Sequence, residues 1–325
     1  MTAWRRLTDW IPVWSRWIFA RTHVAASLSR KGILVMWMSN AWTEYQILDL
    51  SGGEKLEEWN GVRVVRPDPQ VIWEKRLSPK LWNRADGVYH RSNKGGGGWE
   101  FFKDLPERWP LHFAPLDLTF HIKPTGFKHM GLFPEQAVNW QWMAELIKKA
   151  GRPIRVLNLF AYTGGATLAA ARTGAQVVHV DSSKGVVTWA KENLALSGMA
   201  DRPVRFIADD AIKFVEREKR RGNFYDGIIM DPPSYGRGPG GEVFKLEKEL
   251  FHLIEKCAEL LSDNPLFFLI NSYTTGLAPS VLSNLLYLTV AQKRGGAVAA
   301  DEIGLPTLHN GLILPCGASG RWQKE

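Results

Sequence analysis

The sequence predicts an α/β protein: a mostly parallel sheet with helices between its strands, closed by a C-terminal antiparallel hairpin and preceded by a small β-rich α+β domain. Three observations carry this. Beyond about Gly126, short apolar runs alternate with amphipathic helix patterns, the rhythm of βαβ units. Residues 42–125 instead hold short strand patterns cut by turn residues. The chain then closes on two apolar runs, 298–304 and 311–314, with no helix pattern between them.

Taken in order, residues 42–125 show turns at Asp49-Leu50-Ser51-Gly52-Gly53, Trp59-Asn60-Gly61 and Arg66-Pro67-Asp68-Pro69. Val62 to Val65 and Val71-Ile72-Trp73 read as strands. The glycines 95–98 separate Gly87–His90 from Trp99–Phe102 as a hairpin tip; no helix pattern follows them, so they are not a phosphate loop. Leu116 to Ile122 alternates as a half-buried strand. Pro134-Glu135-Gln136 opens a helix, with proline and an acid in its first turn. Five strand patterns follow: Ile154–Phe160, Gln176–Val180, Val204–Ile207, Gly227–Met230 and Leu266–Ile270. Helices are expected at 166–172, 184–196, 211–220 and 245–261 between them. The expected domains are therefore an extension at 1–41, a β-rich domain at 42–125 and an α/β domain at 126–325.

The 325 residues suffice for one large and one small domain, and 45% hydrophobic with 23% charged residues is a globular composition. Cys257 and Cys316 are the two cysteines and lack metal-type spacing, so neither a disulfide framework nor a metal site is expected. The net charge is +8, but residues 1–37 hold six basic side chains against Asp9 alone and so supply five of those charges. The same segment carries five of the 15 tryptophans. It has no apolar run of the roughly 20 residues that would span a bilayer, and no signal-peptide cleavage pattern. It could lie on a membrane surface or on RNA. The expectation is instead an extension outside the fold, or translation from a start upstream of the natural one with Met36 or Met38 as the first residue, in a cytoplasmic protein with no membrane partner.

Ligands of open α/β sheets bind at the carboxyl ends of the strands. Four such ends carry suitable groups. The first runs Asn158-Leu159-Phe160-Ala161-Tyr162-Thr163-Gly164-Gly165, where the glycines allow a sharp turn and a close backbone approach. The second ends in Asp181-Ser182, a carboxylate that can accept from both ribose hydroxyls. The third ends in Asp209-Asp210, placed for an adenine amino group. The fourth ends in Asp231-Pro232-Pro233-Ser234-Tyr235, where two prolines force the chain out of the sheet. One acid at a strand end is usually a helix cap; three in succession beside a glycine turn point to a ligand. Phe160 and Tyr162 stand where a dinucleotide fingerprint has glycine, which disfavours NAD. S-adenosylmethionine has adenine and ribose without a phosphate there.

These motifs, with Trp189-Ala190-Lys191-Glu192-Asn193, resemble the class I S-adenosylmethionine-dependent methyltransferases, whose fold is Rossmann-like. Within them they resemble the bacterial large-subunit rRNA methyltransferases of the cytosine-C5 and guanine-N7 type, over roughly residues 42–323. The stretch Gly131 to Gln136 is similar to an element of that family beside the methionine end of the cofactor, which implies cofactor roles for Phe133 and Gln136. The arginine that follows in the family is Ala137 here, and Lys128 lies one residue out of register. The resemblance implies methyl transfer to RNA. Cytosine-C5 transfer needs a cysteine nucleophile after the fifth strand, where this chain has Asn271-Ser272-Tyr273-Thr274-Thr275. Nitrogen is then the expected acceptor: Asp231 and the Pro232 carbonyl accept the protons of an amine, Pro233 stiffens the elbow, and Tyr235 stacks on the base. A protein nitrogen, a cofactor-binding module without catalysis and a nucleotide-binding oxidoreductase are the alternatives. RNA contact would fall to the β-rich domain and to Lys80, Arg84, Arg91, Lys94, Arg237 and Lys245, residues that otherwise are solvated surface.

Overall fold

The computed structural model describes residues 36–92, 96–237, 243–273 and 277–325. Residues 1–35 of the expected extension, with Lys94, Thr274 and Thr275, lie outside the described residues, as does the side chain of Arg237.

Residues 36–41 are not an extension. Strand β1 (Trp37–Met38) pairs in parallel with a late strand at the edge of the main sheet, and Ser39 Oγ donates to Pro134 O at 2.7 Å. The domain boundary expected at 41 therefore falls too late. The β-rich domain follows as a five-stranded sheet of β2 (Tyr45–Ser51), β3 (Glu54–Trp59), β4 (Val62–Pro67), β5 (Gly87–Arg91) and β6 (Gly97–Phe101), with helix α1 (Pro79–Trp82) between β4 and β5. Val71 to Trp73 is not a strand. Its carbonyls cap the β2–β3 turn instead, Val71 O accepting from Gly53 N–H and Trp73 O from Gly52 N–H, both at 2.7 Å. One face of the sheet packs Ile47, Trp59 and Val64 into the main core; the other packs Leu48, Leu56 and Val65 on Trp82. A hairpin of β7 (Trp109–Phe113) and β8 (Leu118–Ile122) joins the two domains.

After a 3-10 turn at Pro134–Gln136 comes α2 (Ala137–Lys149). The alternation then runs β9 (Arg155–Leu159), α3 (Gly165–Arg172), β10 (Gln176–Asp181), α4 (Lys184–Leu196), β11 (Val204–Ala208), α5 (Ala211–Arg221) and β12 (Gly227–Met230). A ribbon of β13 (Tyr235–Arg237) and β14 (Val243–Lys245) leads to α6 (Leu246–Ala258), β15 (Phe267–Ser272), α7 (Pro279–Leu286), a π-helical extension at Tyr287–Ala291, and the hairpin of β16 (Ala297–Pro306) and β17 (Ile313–Gln323). The sheet order is β1-β16-β17-β15-β12-β9-β10-β11. Strands β15, β12, β9, β10 and β11 are mutually parallel, and β17 is antiparallel to β15 and β16. This is the expected mostly parallel sheet with a C-terminal hairpin. From β9 the chain winds one way to β10 and β11, then returns to the other side at β12. A crevice therefore opens between the carboxyl ends of β9 and β12.

Candidate cofactor cleft

The crevice is lined by Leu132, Phe133, Gln136, Trp140, Asn158, Phe160 to Thr163, Gly165, Asp231 and Asn271, among others. Of the expected cofactor residues it gathers Phe133, Gln136, Asn158, Phe160, Tyr162, Thr163 and Asp231. Gly164 sits next to it as the N-cap residue of α3.

The turn after β9 is wound tightly. Phe160 (φ 55°), Tyr162 (φ 48°) and Gly164 (φ 92°) all adopt left-handed backbone. Two aromatic residues in that conformation store strain, of the kind that gathers at ligand sites. The surroundings fix it. Thr163 Oγ1 donates to Gly131 O at 2.5 Å, and Asn193 Nδ2 donates to Thr163 O at 2.9 Å. Gly165 has no room for a side chain, since a Cβ would lie 2.4 Å from the Trp140 ring, and at Gly164 the left-handed backbone disfavours one. Asn158 is buried, and its Nδ2 donates to Thr167 Oγ1. Asp181, at the end of β10, accepts from the Tyr162 N–H (3.0 Å) and the Ser183 N–H (3.0 Å), so its carboxylate is held against the turn. Ser182 beside it is exposed.

The third strand end is spent differently. Asp210 caps α5, accepting from Lys213 N–H at 2.9 Å, while Asp209 accepts from Asp210 N–H and pairs with Arg217. Neither belongs to the lining of the crevice. Pro232 is buried, whereas Pro233 and Tyr235 are exposed where the chain enters β13; these three do not line the crevice either.

Asp231 is the chemically distinctive wall. Its Oδ1 is sealed from solvent and has no hydrogen-bond partner among the described residues. Burial, then the nearby Glu135 carboxyl, pushes its pKa up to about 7. Glu135 is itself buried and raised by burial to about 7, against the pull of Lys55 and Arg66. Gln136 Nε2 donates to the Tyr273 hydroxyl at 2.6 Å. Rings complete the wall: Phe133 lies 5.3 Å from Tyr162 and 5.6 Å from Tyr273 between centroids. Behind Gln136 is a buried polar chain. Asn139 Nδ2 is within reach of Gln136 Oε1 (2.8 Å), Ser319 Oγ (2.9 Å) and Asn271 Oδ1 (3.0 Å), and Arg321 holds Asn139 Oδ1 through Nε (2.9 Å) and Nη2 (2.6 Å).

Glu135, Asn139, Tyr273 and Arg321 were not singled out by sequence reasoning. Glu135 carries a legible signal, a glutamate in the element 131–136. Arg321, on the last strand and 182 residues from Asn139, carries none. Cys257 is buried in α6 and burial raises its thiol pKa; Cys316 Sγ donates to Leu314 O at 3.3 Å. Neither lines the crevice.

The walls suit the cofactor expected of this turn. A cramped glycine turn admits a ligand against bare backbone, Asp181 keeps acceptor capacity beside it, and Asp231 Oδ1 is an orphaned buried acceptor awaiting a donor. Among the described residues no cluster of histidine, cysteine and acid could hold a metal ion, and no helix is long and apolar enough to cross a membrane.

Residues 102–283 match the family model of the S-adenosylmethionine-dependent methyltransferases. The crystal structure of a SAM-dependent methyltransferase from Agrobacterium tumefaciens is 38% identical, with a TM-score of 0.84 over 90% of this chain and 95% of that one. A methyltransferase structure solved with S-adenosylhomocysteine (SAH) shares the fold at 18% identity, TM-score 0.66, over 87% of this chain and 76% of that one. Ribosomal RNA large subunit methyltransferase K/L of Shewanella baltica is 33% identical over 204 residues, 60% of this chain and 28% of that protein. The chain thus matches little more than a quarter of that relative's length.

Proposed function

The chain belongs to the S-adenosylmethionine-dependent methyltransferase family, and from that premise we propose that it methylates a nitrogen of an RNA base, with ribosomal RNA as the substrate to test first. The observation that carries the reading is the half-buried Asp231: its Oδ1 is sealed from solvent and unpartnered among the described residues, and its carboxyl is poised near neutrality at the strand end that faces the cofactor turn. The similarity of residues in this chain to a ribosomal RNA methyltransferase supports RNA as the acceptor. A cytoplasmic location goes with that substrate.

Phe133, Gln136, Asn158, Phe160, Tyr162, Thr163, Gly164 and Asp181 would hold the cofactor, with Ser182 toward its adenosine end; Asp209 and Asp210 are left to Arg217 and the α5 cap. When bound, it supplies an electrophilic methyl group. The work left to the protein is alignment and charge placement. An exocyclic amine is a poor nucleophile because its lone pair is delocalised into the ring. Ionised Asp231, with the Pro232 carbonyl, accepts its protons and localises that pair. Pro233 keeps the elbow stiff, and Tyr235 is exposed where a base can stack on it. A base within a duplex has to be flipped out to reach Asp231.

The test is methyl transfer from tritiated cofactor by the full chain, offered unmodified ribosomal RNA and protein extract in parallel, with mass analysis of the labelled nucleosides. An N-methylated nucleoside is expected. Label confined to protein overturns RNA as the substrate, and a carbon-methylated pyrimidine overturns nitrogen as the acceptor.

A further inference from the structure

The sheet of the β-rich domain has one face that the methyltransferase core covers only in part. Pairing sets Val64 beside Gly87 and Gly87 beside Phe101, with Tyr89 opposite Trp99 and Arg91 opposite Gly97. Strand alternation therefore places Val64, Arg66, Tyr89, Arg91, Trp99 and Phe101 on the same face. Its inner end is buried, with Val64 and Tyr89 in the core. Its outer end, on edge strand β6, is open: Trp99 is half-buried and Phe101 is 44% exposed.

The rings there form a ladder. Tyr89 meets Trp99 edge-on at 5.4 Å, and Trp99 and Phe101 are parallel to within 6° at 5.7 Å. Glycines opposite let the rings lie on the sheet: a Cβ at Gly87 would come within 2.7 Å of Phe101, and one at Gly97 within 2.8 Å of Tyr89. Parallel rings with an open side are a surface for a further planar group. The ladder is tied to the cleft. Trp99 Nε1 donates to Thr125 O at 2.8 Å, in the turn that carries exposed Phe127 and then Lys128. The next residue, His129, meets the Phe133 ring of the cleft wall at 5.3 Å.

A second, independent observation is charge. Lys128 is half-buried; its Nζ lies 3.4 Å from Pro67 O and has no carboxylate at ion-pair distance among the described residues. Burial disfavours its charge; Asp68 favours it, and Lys55, Arg66 and Arg91 oppose it. The neighbouring carboxylates are engaged, Glu57 by Arg66 at 2.6 Å and Asp68 by Lys55 at 3.2 Å. Arg91 likewise has no ion-pair partner among the described residues. Open rings beside cations with no ion pair among the described residues suit a chain of alternating planar bases and phosphates.

We propose that Trp99, Phe101 and Arg91 of the edge hairpin, with Phe127 and Lys128 of the adjoining turn, dock a single-stranded segment of RNA on its way to the cleft. Bases stack on Trp99, Phe101 and Phe127, and phosphates meet Arg91 and Lys128. This rests on the RNA reading above and adds where the strand lies.

The test is binding of a fluorescent single-stranded oligoribonucleotide to the full chain by anisotropy, over a salt series, with SAH calorimetry as the control for an intact cleft. Phe101→Ala is expected to weaken RNA binding about 5- to 100-fold, the worth of one stacked base, and to leave SAH affinity unchanged. Arg91→Ala and Lys128→Ala are each expected to lower the slope of log affinity against log salt by about 0.7. RNA binding that is intact in the unaltered chain and unchanged in all three variants overturns the docking surface and leaves the proposed function standing. If the unaltered chain neither binds nor methylates RNA, both fall. Displacement of the RNA by an acidic peptide at equal charge concentration overturns nucleic acid as the occupant.

Discussion

Carboxyls of the β-rich sheet and of the cleft region are both withdrawn from water, with opposite outcomes. In the β-rich sheet, Glu57 is fully buried, yet it accepts from Arg66 Nε and Nη2 at 2.6 and 2.8 Å and from the Tyr45 hydroxyl at 2.6 Å. Burial alone would raise its pKa, but Arg66, then Lys55, hold it down at about 2. In the cleft, Asp231 Oδ1 has no such partner, and Asp231 rises to about 7; Glu135, buried nearby, rises to about 7 as well because burial outweighs the pull of Lys55 and Arg66. The difference separates scaffold from site. A satisfied buried charge fixes a structure, whereas an orphaned one waits for a ligand.

The largest expected effect tests the orphaned side. Asp231→Ala should lower kcat for methyl transfer by a factor of about 10²–10⁴, the usual worth of a positioned proton acceptor, with a much smaller effect on SAH affinity. A rate equal to that of the unaltered chain sinks its role. The satisfied side should respond in stability instead. Glu57→Gln leaves the Arg66 charge buried and unanswered, and should cost about 3–5 kcal/mol in urea unfolding. If it costs no more than an exposed glutamate does, the ion cluster is not what fixes the sheet.

The pH dependence of stability sharpens the contrast, because the two groups have opposite signs. A carboxyl raised on folding stabilises fully below its unfolded pKa and loses that contribution as pH climbs through the folded one. Glu135 should thus make the ligand-free chain less stable between about pH 4 and 7, by roughly 3 kcal/mol for a shift of this size. Glu57 is depressed, so its contribution is present above about pH 4.5 and is lost as pH falls toward 2. Thermal unfolding across pH 4–8 should show the decline at the upper end. Glu135→Gln should flatten it, and Asp231→Asn should flatten it in the same direction. A profile that keeps its decline in both variants means that other groups cause it. Methyl transfer should run the other way with pH, rising through about 7 as Asp231 ionises to accept protons.

The same contrast explains what was legible in the sequence. Strand Gly227–Met230 and helix Lys184–Leu196 lie where the apolar run and the helix pattern put them, because local signals and tertiary fate agree. The β2–β3 meander shows in the sequence only through its turns. Asp49 and Glu57 occupy fully buried positions in it, and polar residues at core positions hide the alternation that marks a strand. Val71 to Trp73 misled in the opposite way: its apolar character serves to bury Val71 and to cap a turn. In the crevice, Asn158, Phe160 to Thr163 and Asp231 could be expected because they stand at the strand ends of a βαβ rhythm, whereas Asp209 and Asp210, expected on the same ground, lie outside its lining. The polar chain behind Gln136 was not legible, since its members meet only once β17 has folded against β15.

That chain supplies the smallest of these effects. Arg321 is a buried cation of a third kind, met by rings and an amide, with no carboxylate at ion-pair distance among the described residues. Its guanidinium lies 3.7 Å from the Trp37 ring centroid and 5.0 Å from that of Trp142, and burial lowers its pKa to about 9. Its two bonds to Asn139 Oδ1 leave the Asn139 amide free to face Gln136, and so set the Gln136 contact with Tyr273 in the cleft wall. A lysine keeps the charge but cannot make the planar, two-pronged contact. Arg321→Lys should therefore cost about 1–2 kcal/mol of stability, as for a charge-assisted hydrogen bond lost, and should raise KM for the cofactor with little change in kcat. Asn139→Ala should reproduce the KM effect, because it breaks the same chain one step nearer the cleft. If either variant lowers stability while KM stays fixed, the chain belongs with the Glu57 cluster as scaffold, and the divide between the two kinds of buried charge runs between Gln136 and Asn139.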